Sequence, residues 1–189
     1  MSDTSAALIL DTALSLAETR GWERLQLYEV ADALGIGLDA IARHYPDKDA
    51  MVDAWFARAE QAMLARARDD DLAGMLPAER LEELMAAWLQ ALDKHRALLG
   101  QMLLYKLEPG HLHLQLGGLH SLSRVVQWWR AGARLRGVWF NRIGQECLLS
   151  GLFLRTFCHW LRHPHKDPAA MRAYLRRRIA TAPLRYLLH

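Results

Sequence analysis

The chain has few of the features that mark an exported or membrane-anchored protein. Only two of its 189 residues are cysteines, which argues against a disulfide framework and fits a reducing cytoplasm. Its first ten residues lack the basic start of a signal peptide. The longest apolar run, residues 147–154, is eight residues long and too short to span a bilayer. We therefore expect a cytoplasmic protein without stable membrane insertion.

The sequence also lacks the motifs of common enzymes and metal centres. It contains neither a Gly-x-Ser-x-Gly nucleophile elbow nor a Gly-rich phosphate-binding loop. His159 and His163 lie one helical turn apart, but no carboxylate accompanies them at a spacing that would complete a zinc site. We predict that the protein is not an enzyme and that it uses neither a metal nor a cofactor.

Charge is unevenly distributed along the chain, although the net charge is only +3. Residues 1–50 carry four basic and nine acidic side chains, a net charge of −5. Residues 51–120 carry seven basic and ten acidic side chains, a net of −3, and residues 121–189 carry thirteen and two, a net of +11. A basic third of this kind is either a solvated surface or a binding region for an anionic partner.

Nearly the whole chain has the pattern of α-helices. Apolar residues recur at spacings of three and four and strict alternation is absent, so we predict an all-α fold of about nine helices. The predicted helices are 5–20, 26–34, 38–44, 48–68, 78–97, 98–107, 117–134, 138–162 and 168–187. We expect a loop at 108–118. The break at 69–80 separates a predicted head, residues 1–50 with the fourth helix as connector, from a predicted body, residues 69–189.

The first three predicted helices, with Gly35 at the turn between the second and third, have the arrangement of a helix-turn-helix. Residues 9–55 resemble the N-terminal domain of the TetR family of bacterial regulators. The matching landmarks are Ile9, Leu10, Ala13, Gly21, Trp22, Val30, Ala31, Gly35, Ile36, Ile41, His44, Tyr45, Pro46, Lys48 and Ala50. The resemblance implies an all-helical homodimer whose head reads an operator. It also implies a body that binds a small ligand and dimerises through its last two helices.

The third helix differs from the family pattern at positions that usually contact DNA. The family has Ser, a basic residue, Gly and Thr at the start of this helix, and a Tyr before its His-Phe pair. This chain has Gly37, Leu38, Asp39, Ala40 and Ala42 there. Leu38 and Ala42 can contact a thymine methyl, whereas Asp39 repels a phosphate. The candidate DNA-binding residues are Gln26, Tyr28, Leu38, Ala42, Arg43, His44, Tyr45 and Lys48.

The body carries a second resemblance. Residues 122–179 are similar in order and spacing to the lipid-binding coenzyme Q biosynthesis family, which shares the TetR fold without serving as a DNA-binding regulator. The shared positions are Trp128, Trp129, Ala131, Gly132, Trp139, Phe140, Asn141, Arg142, Asp167 and Pro168. Large apolar side chains of the body are either ordinary core or the lining of a hydrophobic ligand pocket. The pocket candidates are Trp88, Met102, Tyr105, Trp128, Trp129, Phe153 and Phe157.

Two functions follow from these patterns. The first, which we predict, is a TetR-family-like transcriptional regulator: a DNA-binding homodimer controlled by a small hydrophobic ligand. The alternative is a protein of the same fold that binds a lipid, an isoprenoid-like molecule or a partner protein and has lost operator reading. The helix-turn-helix landmarks favour the first function. The acidic head favours the alternative, because affinity for DNA rests largely on the neutralisation of phosphates.

Overall fold

A computed structural model of the chain describes residues 5–106, 112–135, 140–163 and 167–181, and the side chains of these except 103–106, 112–121 and 140–142. The helices are α1 (Ala6–Arg20), α2 (Leu27–Leu34), α3 (Leu38–Ala42), α4 (Lys48–Arg66), α5 (Pro77–Asp93), α6 (Arg96–Lys106), α7 (Leu112–Gly132), α8 (Phe140–Arg162) and α9 (Pro168–Ala180). A short 3-10 helix, Asp70–Gly74, lies between α4 and α5. Since these residues include no strand, the predicted all-α fold of about nine helices is confirmed.

The start of α7 differs from the prediction. The sequence predicts a loop over 108–118, but α7 already begins at Leu112 and continues through Gly117 and Gly118. A glycine inside a helix costs about 1 kcal/mol relative to alanine. A helix of 21 residues that packs against its neighbours can outweigh two such costs. The glycine pair is therefore a weak point within a helix and not a boundary.

The helices form two compact units. The head unit comprises Met1–Arg58 and Lys94–Glu108, and the body unit comprises Ala59–Asp93 and Pro109–His189. α6 thus belongs to the head unit, although it follows α5 in the chain. The predicted division into a head at 1–50 and a body at 69–189 stays a prediction.

The head unit is built on α1, which packs against α2 and α6. The Oγ of Ser5 accepts a hydrogen bond from the backbone N–H of Leu8 (3.3 Å) and so caps the helix. Its buried face is formed by Ile9, Leu10, Ala13, Leu14 and Ala17. The helix ends at Gly21, whose φ of 85° is readily adopted by glycine alone.

A tight turn joins α2 to α3. Gly35 has a φ of 64°, in the left-handed region, and the next residue, Ile36, donates its backbone N–H to the carbonyl of Ala31 (3.0 Å). This pattern is a glycine-terminated helix end, and it lets the chain reverse within three residues. The buried side chain of Ile41 anchors α3 to the rest of the head unit. The turn predicted at Gly35 therefore positions α3 as the second helix of a helix-turn-helix.

The body unit is held together by packing of α5 against α7 and α9, and of α8 against α7 and α9. The indole of Trp129 is fully buried and donates its Nε1–H to the carbonyl of Leu81 (2.9 Å). A Cβ added to Gly132 would come within 2.9 Å of Leu84 Cδ1, so this glycine permits a close approach between α7 and α5. Over the described residues, none of the helices is long and apolar enough to cross a membrane.

Candidate functional site

The outward face of α3 carries two apolar side chains. Leu38, the first residue of the helix, is 53% exposed, and Ala42, one turn later, is also exposed. Residues four apart share one side of a helix, so both lie on the same stripe. Ile41 points the other way into the head unit. The part of α3 available to a partner is therefore partly apolar.

The second exposed stripe of α3 is an ion pair. Arg43 Nη1 donates to Asp39 Oδ2 at 3.1 Å, and both side chains are largely exposed to solvent. A Cβ on Gly37 would collide with Asp39 Oδ1, so the carboxylate occupies space that any larger residue at 37 would need. Arg43 is thus neutralised locally. The exposed face of α3 combines two apolar groups with one internally compensated ion pair.

Three other DNA-contact candidates lie on the surface of the head unit. Gln26, Tyr28 and His44 are exposed. The backbone N–H of Gln26 donates to Glu29 Oε2 (3.0 Å), which closes the start of α2. The Gln26 side-chain amide also contacts the carbonyl of Arg24 at 3.5 Å. All three side chains are therefore accessible to a ligand.

Tyr45 is a correction to the candidate list. Its side chain is only 6% exposed, and its hydroxyl donates to the carbonyl of Ala6 at 2.8 Å. Burial raises the pKa of Tyr45 above its usual value. The signal in the sequence is its position four residues after Ile41, which puts both side chains on the buried side of the segment. Tyr45 ties the start of α1 to the end of α3 and is not available to DNA.

Lys48 is the second correction. Its ammonium group donates to the carbonyls of Trp22 (2.7 Å), Glu23 (3.3 Å) and Leu25 (2.9 Å). An ammonium has three hydrogens, so all of its donors are used. The nitrogen also lies 5.4 Å from the centre of the Trp22 ring. Burial lowers the pKa of Lys48. This lysine fastens the α1–α2 connection to α4 and has no donor left for a phosphate.

Four of the predicted pocket residues form one aromatic cluster in the body unit. The ring of Trp88 lies 4.9 Å from that of Phe153 and 5.4 Å from that of Phe157, and Trp129 lies 5.6 Å from Phe153. All three pairs meet edge to face, an arrangement favoured by aromatic quadrupoles. All four side chains are buried. These residues pack against one another, so a ligand beside them would have to take over some of these contacts.

Three pocket candidates remain, namely Trp128, Met102 and Tyr105. Trp128 is 47% exposed, whereas its neighbour Trp129 takes the buried position on α7. Met102 is buried, but it belongs to the head unit. The side chain of Tyr105 lies outside the described residues. The aromatic residue types were predictable as core, but adjacent tryptophans on a helix cannot both face inward.

The histidines of α8 are used in packing. The ring of His159 stacks on that of Tyr174 with centres 3.9 Å apart, and His163 Nδ1 lies 2.7 Å from the carbonyl oxygen of His159, at hydrogen-bond distance. Throughout the described residues, no three His, Cys, Asp or Glu side chains are grouped so as to hold a metal ion.

One exposed feature of α8 escaped the sequence analysis. Ile143 (63% exposed) and Leu154 (44% exposed) lie on the solvent side, together with both cysteines. Exposed apolar or small residues follow one another at intervals of three and four along the helix, beside the exposed Arg155: Ile143, Cys147, Gly151, Leu154 and Cys158. Their helical spacing is the signal that could have identified them. We call these five residues the α8 stripe.

Comparison with known proteins identifies the family. The model of the bacterial regulatory proteins of the tetR family matches residues 9–55. The chain is 34% identical to the TetR transcriptional regulator from Nitrosomonas europaea, whose crystal structure superposes with a TM-score of 0.83 over 94% of this chain and 97% of that chain. The TetR family regulator PfmR from Thermus thermophilus is 19% identical, covers 93% and 98% of the two chains, and has a TM-score of 0.58.

A curated relative is the HTH-type transcriptional repressor KstR2 of Mycobacterium tuberculosis, which is 29% identical over 107 residues. That match covers 57% of this chain and 52% of the repressor, so the chain spans about half the length of the curated relative it matches. The similarity to PfmR shows the shared fold, whereas the similarity to the Nitrosomonas europaea regulator extends over nearly both whole chains at higher identity. The chain therefore belongs to the TetR family of bacterial regulatory proteins.

Proposed function

We propose that the protein is a transcriptional regulator that binds operator DNA as a homodimer and responds to a small apolar ligand. The observation that carries this proposal is the similarity, along nearly the full length, to the Nitrosomonas europaea regulator. The exposed α3, presented after a tight glycine turn, supports it, because the second helix of a helix-turn-helix enters the major groove. We further propose that it acts in the cytoplasm, where it would meet DNA.

Of the candidate DNA contacts, Arg43 is the cation on the exposed face of α3. Its partner Asp39 is a surface carboxylate, and an exposed pair of this kind is worth only about 0.5 kcal/mol. Arg43 can therefore leave Asp39 for a phosphate or a guanine at small cost. Gln26, Tyr28 and His44 would contribute further contacts around it.

The proposal is tested by capture of DNA. The purified full chain is incubated at low salt with sheared genomic DNA and with the region upstream of its own gene, and retained fragments are sequenced. We expect enrichment of a discrete fragment whose affinity falls as salt rises. Arg43→Ala should weaken binding by about fivefold, the effect of roughly 1 kcal/mol. Arg68→Ala, an exposed arginine of the body unit, is the matched control and should bind normally. Retention of no fragment overturns the proposal.

The ligand would bind in the body unit, where the cluster of Trp88, Trp129, Phe153 and Phe157 offers apolar surface. Ligand binding to the regulator would then change its affinity for DNA by linkage between the two sites. The basic C-terminal third would be a solvated surface or bind an anionic partner, both with and without the ligand.

A second candidate function rests on the charge of the head. Residues 1–50 carry a net charge of −5, and the exposed face of α3 has no net charge. A protein of this fold that binds a lipid or isoprenoid-like molecule without reading DNA would show both features. Organic extraction of the purified protein followed by mass spectrometry tests it, with a mock purification from cells lacking the gene as control. A lipid present only in the protein sample supports this function, and extracts identical to the mock contradict it.

A further inference from the structure

We propose that Leu38 and Ala42 read thymine methyl groups in the major groove, so that this protein selects its operator partly by apolar contact. The inference rests on the proposed DNA-binding function and adds the chemical feature that the recognition helix recognises. It is carried by the outward face of α3, which has two exposed apolar side chains and no unpaired charge.

The position of Leu38 places it among the residues that reach base edges. In a helix-turn-helix, the N-terminal residues of the second helix make these contacts. Leu38 is the first residue of α3, and Ala42 continues the same stripe one turn later. Ile41 is buried on the other side, which fixes the rotation of the helix about its axis. A major groove that receives α3 therefore meets Leu38 first.

The chemistry of the major groove leaves one group for a leucine to recognise. The groove edges of the four bases present hydrogen-bond donors, hydrogen-bond acceptors and the C5 methyl of thymine. Leu38 and Ala42 have no polar side-chain atom, so only the methyl group rewards their burial. Placed against a donor or acceptor, the same side chains would strip water from a polar group without replacing its hydrogen bond.

The neighbouring ion pair strengthens this preference. Asp39 sits beside Leu38 and brings the summed charge of the pair with Arg43 to zero, so α3 adds no net positive charge toward phosphates of any sequence. Gly37 leaves the space that the Asp39 carboxylate occupies. A face with little charge of its own gains less from non-specific DNA. Its contact with thymine methyls then accounts for a larger share of the discrimination between sites.

The test uses duplexes that differ only in the methyl group. A sequence is first selected from a library of random duplexes with the wild-type protein. The selected duplex is then synthesised twice, once with thymidine and once with deoxyuridine at the same positions. The deoxyuridine duplex lacks the methyl group and keeps every hydrogen-bonding group of the base edge. We expect wild type to bind the deoxyuridine duplex about tenfold more weakly, the effect of one lost methyl contact in each of two half-sites.

Two variants test whether Leu38 makes the contact with the methyl group. Leu38→Ala should bind the thymidine duplex more weakly and lose most of the penalty for deoxyuridine. Leu76→Ala, at a leucine of the body unit that is also largely exposed, should keep the full penalty. Circular dichroism and thermal melting confirm that both variants are folded, as expected for exposed positions.

Each result separates the inference from the function on which it rests. Equal binding of both duplexes by wild type, or an unchanged penalty in Leu38→Ala, overturns methyl reading while DNA binding stands. Selection of no sequence, with genomic DNA still retained, also overturns it. Binding to no DNA at all overturns the proposed function and this inference together, and then the exposed face of α3 belongs to another kind of partner.

Discussion

Two polar side chains of the head unit connect helices by donating hydrogen bonds to backbone carbonyls that are distant in the sequence. Tyr45 donates to the carbonyl of Ala6 at the start of α1, and Lys48 donates to three carbonyls between α1 and α2. The bonds to Ala6, Trp22 and Leu25 are partly buried, so water competes with them less than with a surface contact, whereas the bond to Glu23 is exposed. These side chains determine how α3 is presented, although neither is free to contact DNA itself.

We expect Tyr45→Phe to lower the free energy of unfolding by about 1 kcal/mol, the net contribution of a typical hydrogen bond. Because burial raises the pKa of Tyr45, folding favours its protonated form. Its contribution is complete below the pKa of an unfolded tyrosine, about 10, and is lost as pH rises through the higher folded value. The difference between wild type and Tyr45→Phe should therefore shrink above about pH 10.

Urea unfolding of both proteins at a series of alkaline pH values measures this difference. Tyr28→Phe is the matched control, because Tyr28 is exposed in the same head unit and should change stability little at any pH. A Tyr45→Phe variant as stable as wild type at neutral pH would contradict the assigned role of the hydroxyl.

At the scale of elements, α8 presents two different faces. One side carries Phe153 and Phe157 into the aromatic cluster of the body unit, and the other is the α8 stripe. A contiguous apolar patch on the exposed side of a helix marks a candidate interaction site. A second copy of the chain is the partner that we propose, because a two-fold interface pairs the same patch on both subunits. The small Gly151 in the middle of the stripe would allow two helices to approach closely.

We expect the double substitution Ile143→Glu and Leu154→Glu to convert the proposed dimer into a monomer, because it places four carboxylates in one two-fold interface. Sedimentation equilibrium of the wild type and the variant measures the mass directly. Leu76→Glu is the control, since it adds a charge at an exposed leucine outside the α8 stripe. A double variant that stays dimeric would assign the interface to other residues.

At the scale of the whole molecule, helical periodicity and the turn residues predict most of the fold, because both are local properties. Gly21 and Gly35 end helices where the sequence predicts, through backbone angles that favour glycine. The candidate site is less predictable. Tyr45, Lys48 and Trp128 carry suitable chemical groups, but whether such a group faces solvent depends on packing between distant segments. The residue type alone does not encode that direction.

The charge distribution also acts at this scale. The N-terminal 50 residues are acidic and the last 69 are strongly basic, although the total is only +3. An acidic head contributes little counterion release on binding DNA, so specific contacts must supply more of the affinity. This requirement agrees with a recognition helix whose exposed groups are apolar or internally paired.

The membership of α6 in the head unit has a practical consequence for protein engineering. The head unit draws on two separate stretches, Met1–Arg58 and Lys94–Glu108, so no single continuous gene segment encodes it. A chimaera that joins residues 1–58 to the body of another regulator would expose the surface of α1 that α6 covers and would lose the buried His95, whose Nδ1 lies 2.7 Å from Glu18 Oε1. A working transplant of the head unit must therefore carry α6 with it as a second insert.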